Sequence, residues 1–336
     1  MQQSNTLKQM KKKSNKKIFI TGEKGHLGSL IALACKAQGY EIINEKYALA
    51  AMHSKKNIPD VFVFDYPNEI NILDGFLMEG IIKVEQPDVI FHTAAYVGTD
   101  KCISSYDDAY QTNVIATHAL LNSLKKHCKD CLFVNFSTTA TCDPMYYNLK
   151  QKITEETARG PKTWYGMTKW QSEQVVKENY DKWINFLPVF LFGKYPFDTS
   201  SIWAKIFAKS NNGKKFDILL DTSIHKQYEY AGNIVGIIME IINNKRSIGK
   251  DIVLTGSEIR KFGEFLFLAE REYKKQTGKD LIYNLHPEKD YLKNHIADSS
   301  LMYELAGVTE KEYNKHRKDF KTAIKSVVKS CIDIKL

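Results

Sequence analysis

The 336-residue sequence predicts an α/β fold: a doubly wound parallel sheet with helices on both faces, followed by a smaller α/β lobe. Three observations lead there. Short β-rich runs alternate with amphipathic helical stretches, the pattern of βαβ units. A glycine-spaced loop joins the first run to the first helix. Beyond Phe192 the alternation loses its regularity.

The elements can be read in order. Met1–Lys16 carries lysines but no apolar periodicity, and it is expected to be a basic tail. Lys17–Thr21 is an apolar strand. Leu27, Leu30, Ile31 and Ala34 recur at helical spacing, and Gly39 stops that helix. Further strands are expected at Glu41–Asn44, Val61–Phe64, Val89–His92, Leu132–Phe136 and Asn185–Phe190. Helices are expected around Ile70–Val84 and Ala109–His127. Later, Ile202–Lys209, Ala231–Asn243 and Phe262–Lys275 read as helices and Asp251–Leu254 as a strand. Glu310–Ser330 reads as one closing helix. The division is therefore a tail at 1–16, a Rossmann-like dinucleotide-binding domain at 17–192, and at 193–336 a mainly substrate-binding lobe interwoven with it.

Thr21-Gly22-Glu23-Lys24-Gly25-His26-Leu27-Gly28 lies between the first strand and the first helix. Glycines at 22, 25 and 28 suit a turn where a pyrophosphate approaches backbone N–H groups and a helix N-terminus. This placement, in the first βαβ unit, is the one a dinucleotide site requires. Lys24, His26 and Leu27 join the glycines as cofactor-binding candidates. The end of the second strand leaves the cofactor open: Glu45 suits a ribose 2′-hydroxyl and NAD(H), whereas Lys46 and Lys24 suit a 2′-phosphate and NADP(H). The two cations tilt the expectation to NADP(H). Asp65 and Tyr66, ending the third strand, suit an adenine contact; Asp65 suits a turn equally well.

Tyr165 and Lys169 stand four residues apart in a helical stretch, so phenol and ammonium share a face. A fixed cation beside a phenol favours the phenolate and would lower its pKa towards neutrality. The pair follows a strand that runs out through Ser137-Thr138-Thr139-Ala140-Thr141, a source of hydroxyls.

Together, TGxxGxxG at Thr21–Gly28, DVIFHTAA at Asp88–Ala95, the STTAT run and YGMTK at Tyr165–Lys169 resemble the extended short-chain dehydrogenase/reductase superfamily, the NAD-dependent epimerase/dehydratase family. Asp100-Lys101 and the Trp164–Lys169 segment are most similar to the dTDP-4-dehydrorhamnose reductase type of sugar-nucleotide reductase. The resemblance implies that Thr139 hydrogen-bonds the substrate, Tyr165 exchanges its proton, and Lys169 holds the cofactor ribose. It implies that Ala94, Ala95 and Tyr96 line the cofactor. Asn113 is either a helper in the fourth helix or a plain surface residue. Lys226, in Lys226-Gln227-Tyr228-Glu229-Tyr230, takes the place of a basic residue facing the nucleotide diphosphate, and Thr141 joins Thr139 on the substrate side.

The neighbours of Thr139 discriminate among reactions. Dehydratases of the superfamily place an Asp-Glu pair directly after this threonine; Ala140 and Thr141 cannot act as acid and base. Ring epimerisation of the fucose-synthase kind uses a cysteine two residues on, and Thr141 stands there, with Cys142 one place late. The expected activity is NAD(P)H-dependent reduction of a 4-keto (deoxy)sugar nucleotide. Two alternatives stay open: an NAD-dependent 4-epimerase, and a non-catalytic cofactor-binding regulatory subunit.

Charge and cysteines narrow the classes. Six of the 48 Lys and Arg residues fall in Met1–Lys17, where there is no acid, so the rest of the chain carries only +3 of the net +9. A solvated tail on a near-neutral body does not suggest a nucleic-acid partner. The six cysteines form neither a disulfide framework nor a zinc framework, and the lone Cys128-Lys-Asp-Cys131 has no second ligand pair, so no metal is expected. No stretch approaches the roughly 18 apolar residues of a membrane span. The expectation is a cytoplasmic protein with a nucleotide-sugar substrate, acting as a homodimer.

Overall fold

The computed structural model describes residues 16–45, 70–143, 151–193, 202–219, 221–286 and 294–331. Strand β1 (Lys17–Thr21) leads into helix α1 (His26–Ala37) and a two-residue strand β2 (Glu41–Ile42). Helix α2 (Gly75–Glu85) and strand β3 (Val89–His92) follow. Then come α3 (Thr99–Ser104), α4 (Tyr106–Tyr110), a π-helical turn (Gln111–Ile115) and α5 (Ala116–His127). Strand β4 (Leu132–Phe136) ends in a 3-10 turn (Thr139–Thr141), and α6 (Trp164–Asn179) runs into β5 (Trp183–Pro188). The second half holds β6 (Phe190–Phe192), α7 (Ile202–Asn211), β7 (Phe216–Ile218) and β8 (His225–Tyr230). It continues with α8 (Ala231–Ile241), β9 (Lys250–Leu254), β10 (Glu258–Lys261), α9 (Phe262–Thr277) and β11 (Tyr283–Leu285). Helices α10 (Ser300–Ala306), α11 (Glu310–His316) and α12 (Phe320–Cys331) close the described chain.

The main sheet has the order β2-β1-β3-β4-β5-β9 and is parallel throughout. Its strands are near-continuous apolar runs because both faces are covered. On one face Ile31 of α1, Ile234 and Ile238 of α8 and Met302 of α10 pack over β1 and β3. On the other, Met78 and Ile82 of α2, Leu120 and Leu124 of α5 and Val176 of α6 pack over Phe19, Ile90 and Phe133. A second core, rich in rings, surrounds Phe192, Tyr228, Phe265 and Phe320 beneath the three-stranded sheet β10-β8-β6. Strand β9 and helices α8 and α10, all from the second half, complete the larger sheet and its cover.

Three elements differ from the sequence-based expectation. Strand β2 stops at Ile42 because the Asn44 side chain takes over the ladder. Its Oδ1 accepts from the Ile20 N–H at 2.9 Å, and its Nδ2 donates to the Ile20 carbonyl at 2.8 Å. The run expected at Asn185–Phe190 is two strands in two sheets: β5 pairs with β4 and β9, β6 pairs with β8, and Val189 is the crossing point. The closing helix is broken at Arg317–Asp319. Asn233 captures the Lys318 backbone, its Oδ1 accepting from the N–H at 2.9 Å and its Nδ2 donating to the carbonyl, and the Arg317 side chain donates to Glu258 at 2.8 Å. The strand expected at Val61–Phe64 lies outside the described residues.

Candidate active site at the carboxyl edge of the sheet

The glycine loop, Ala94–Tyr96 and Thr139–Thr141 follow the carboxyl ends of β1, β3 and β4, where ligands of open α/β sheets bind. The glycine loop is shaped by contact. Gly22 has φ +71°, and a Cβ there would lie 2.7 Å from the Ala94 nitrogen. A Cβ on Gly28 would lie 2.2 Å from the Gly22 carbonyl oxygen. Gly25 is the N-cap of α1, with no side-chain cap and no acid in the first turn, so the first N–H groups of α1, from His26 and Leu27 onward, suit an anion. The Thr93 hydroxyl ties the loop to β3 by donating to the Thr21 carbonyl at 2.7 Å. This cradle fits a dinucleotide pyrophosphate. His26 packs its ring against Gly193, at the exit of β6.

Ala94, Ala95 and Tyr96 continue from β3 along the same edge, half-buried. Asn113 holds them. Its Oδ1 accepts from the Tyr96 N–H at 2.7 Å, and its Nδ2 donates to the Tyr96 carbonyl and the Thr168 hydroxyl, each at 3.0 Å. The surface-residue alternative for Asn113 is thereby corrected. The side chain is 1% exposed within the π-helical turn and joins the segment after β3 to α6.

Helix α6 starts at a Thr163 cap and carries Tyr165 and Lys169 on one face. Its first turn approaches the 3-10 turn so closely that a Cβ on Gly166 would lie 2.5 Å from the Ala140 carbonyl oxygen. Lys169 is 2% exposed, and burial pulls its ammonium down to about 8, with Glu173 opposing. The expected lowering of the Tyr165 pKa is not found. Burial pushes the phenol above its usual value, Cys102 adds to the rise, and nothing from Lys169 offsets it. The physical reason is that burial strips the phenolate of solvent with no cation offsetting the loss.

Thr139 and Thr141, expected to face substrate, are both fully buried, with hydroxyls engaged by backbone. Thr139 donates to the Pro188 carbonyl at 3.3 Å and Thr141 to the Thr138 carbonyl at 2.9 Å. Lys226 sits on β8 at 3% exposure, its ammonium 5.5 Å from the Phe190 ring and 5.9 Å from the Phe262 ring. That places it among the aromatic side chains of the second core. Glu45 is ion-paired with Lys36, and Lys24 lies close enough to Glu23 to act on its charge. Lys46, Asp65 and Tyr66 fall outside the described residues.

Two groups went unnoticed in the sequence. His92 ends β3 with Nδ1 2.8 Å from the Thr21 hydroxyl and Nε2 2.9 Å from that of Thr117. Burial, helped by Lys169, holds its pKa down at about 3, so the ring is neutral. Behind α6, Arg159 donates to Glu173 at 3.0 Å and to Asp251 at 3.1 Å, while Lys177 pairs with Asp251 at 2.6 Å. A spacing of four from Lys169 to Glu173 was the available signal for the second. Among the described residues no three His, Cys, Asp or Glu side chains form a metal-binding group, and no helix is long and apolar enough to cross a membrane.

Comparison with known proteins agrees with this architecture. A dTDP-D-glucose 4,6-dehydratase of Dictyostelium discoideum is 27% identical over 276 residues, covering 73% of this chain and 61% of that protein. The match therefore spans less than two thirds of that relative. The solved UDP-glucuronic acid 4-epimerase from Bacillus cereus, in complex with UDP-glucuronic acid and NAD, superposes with a TM-score of 0.71 at 18% identity, covering 94% of this chain and 98% of that one. A dTDP-4-dehydrorhamnose reductase from Clostridium acetobutylicum gives 0.67 at 19% identity, covering 93% and 98%. These two likenesses show the fold. A family model matches residues 18–255, well over half of the sequence, and the chain belongs to the NAD dependent epimerase/dehydratase family.

Proposed function

We propose that the protein reduces a 4-keto (deoxy)sugar nucleotide, with Tyr165 as proton donor and Lys169 holding the cofactor ribose. The observation that carries this reading is the close approach of the first turn of α6, at Gly166 beside Tyr165 and one turn before Lys169, to Ala140 of the hydroxyl-bearing 3-10 turn. The bound nicotinamide supplies the hydride. Burial keeps the Tyr165 phenol protonated, the state a donor to a developing alkoxide needs. Thr139 exchanges its long bond to Pro188 for the substrate oxygen. Ala140 and Thr141 offer no acid-base pair for elimination, which supports reduction over dehydration.

In this reading the cofactor is NADP(H), with Lys24 and Lys46 at its 2′-phosphate, and Lys226 serves the nucleotide diphosphate. The protein works in the cytoplasm as a homodimer through helices of the larger lobe, where Ile115 and Trp164 are exposed.

Tyr165→Phe should lose turnover on a panel of 4-keto nucleotide sugars while cofactor affinity stays within about twofold, since the hydroxyl removed does its work in the transition state. Comparable activity in that variant would refute the mechanism. Freshly purified protein that retains NAD tightly would turn the reading to a 4-epimerase. NADPH titration of Lys24→Ala checks the cofactor: unchanged NADPH affinity removes the 2′-phosphate contact.

A further inference from the structure

Behind the proposed site lies a buried charge network. Glu173 is fully buried, one helical turn beyond Lys169 on α6. Its carboxylate accepts from the Ser137 hydroxyl at the end of β4 and from Arg159 Nε at 3.0 Å. Arg159 also donates to the Thr157 carbonyl at 2.8 Å and to Asp251 on β9. Asp251 takes Lys177 from α6 and the Asn185 amide from β5, each on its own oxygen. Asn185 in turn accepts from Asn135 of β4 at 3.0 Å. Three strands, the segment before α6 and α6 itself are thus locked together under Lys169.

A buried carboxylate with an arginine already paired to it is more than structure needs; an apolar pair would pack as stably. Its neighbours suggest what the charge is for. Among the described residues, Glu173, one turn along the same helix, is the acid that acts on Lys169, and Lys169 in turn acts on neutral His92 of β3. Glu173 faces Ser137, Arg159 and the Cys142 thiol from the other side. We propose that Glu173 is a positioning residue whose fixed negative charge keeps the buried Lys169 ammonium protonated and aimed at the cofactor ribose. This rests on the reading of Lys169 above. Arg159 and Ser137 act through Glu173 by holding its carboxylate in place.

The sign of the effect follows from the charges. Burial lowers the Lys169 pKa to about 8 and Glu173 raises it, so removing Glu173 lowers it further. Lys169 then loses its proton at a lower pH.

The test is cofactor affinity from pH 6 to 10, read by nicotinamide fluorescence, for wild type, Lys169→Met, Glu173→Gln and Glu173→Asp. Wild-type affinity should fall as the pH rises through about 8, and Lys169→Met should be flat. Glu173→Gln should shift the falling limb to lower pH by about one unit, the scale of a lost buried charge partner, and Glu173→Asp should return it close to wild type. Equal weakening of both Glu173 variants, with the limb unmoved, overturns the proposal and leaves a packing role. A wild type as flat as Lys169→Met overturns the reading of Lys169 itself, and this inference with it. Should Glu173→Gln not fold, Arg159→Met/Glu173→Met removes both charges without stranding either. The limb should move the same way, because Glu173 and not Arg159 is the charge that acts on Lys169.

Discussion

Tyr165 stands beside the 3-10 turn because the residue after it has no side chain. Gly166 lets the first turn of α6 come within 2.5 Å, measured from a would-be Cβ, of the Ala140 carbonyl. Backbone on both sides leaves nothing flexible to yield. Gly166→Ala should therefore push α6 off the 3-10 turn, lowering stability by about 1–3 kcal/mol, as overpacking does. Turnover should fall further than cofactor affinity, because Tyr165 and Thr139 separate while the glycine loop is untouched. Thermal melting with a paired kinetic assay checks both. Gly28 is constrained in the same way from the other end of the site, by the Gly22 carbonyl and the Thr93 hydroxyl. Gly28→Ala should abolish cofactor binding at a stability cost of similar size, measured by fluorescence titration. The glycine spacing was legible in the sequence, whereas the partner of Gly166 was not, since Ala140 is 26 positions away.

Among the described elements, α6 is anchored along its length. Thr163 caps it, Asn113 reaches it through Thr168, and Arg159 and Asp251 bind Glu173 and Lys177 behind it. The helical stretch and its spacing of four were legible in the sequence, but the anchors were not. Arg159, Asp251 and Asn113 read as ordinary surface types until the fold buries them. Arg159→Met alone leaves the Glu173 carboxylate buried without its ion-pair partner and should cost about 3–5 kcal/mol. Denaturant unfolding measures the loss. The breaks at Val189 and at Arg317–Asp319 were equally hidden, because each depends on a partner far along the chain: Leu254, whose carbonyl accepts from the Val189 N–H, and Asn233.

Across the whole molecule, β9, α8 and α10 return from the second half to complete the first lobe, so the two cores, one lined by Ile234 and Met302 and the other by Phe265 and Phe320, are not separable cuts of the chain. His92, buried at the end of β3, is joined to Thr21 and Thr117, and its pKa is pulled down to about 3. Between pH 3 and about 6.5 the unfolded chain binds a proton that the folded His92 refuses. Stability therefore rises with pH across that window and is lost as the pH falls through it. The melting temperature of wild type should drop from pH 7 to pH 4, and His92→Gln should flatten the slope. An unchanged slope in that variant would assign the acid sensitivity to other groups.

Local pattern determined much about this protein by itself. The strands at Lys17–Thr21, Val89–His92 and Leu132–Phe136, the glycine cradle and the Tyr165–Lys169 helix all follow from periodicity and spacing, which act between residues close in sequence. Tertiary structure alone decided what surrounds them: the neutral state of His92, the engaged hydroxyls of Thr139 and Thr141, the raised phenol of Tyr165 and the carboxylate of Glu173 behind Lys169. Those properties come from burial and from partners brought together across strands, and burial is a quantity that exists only once the chain has packed.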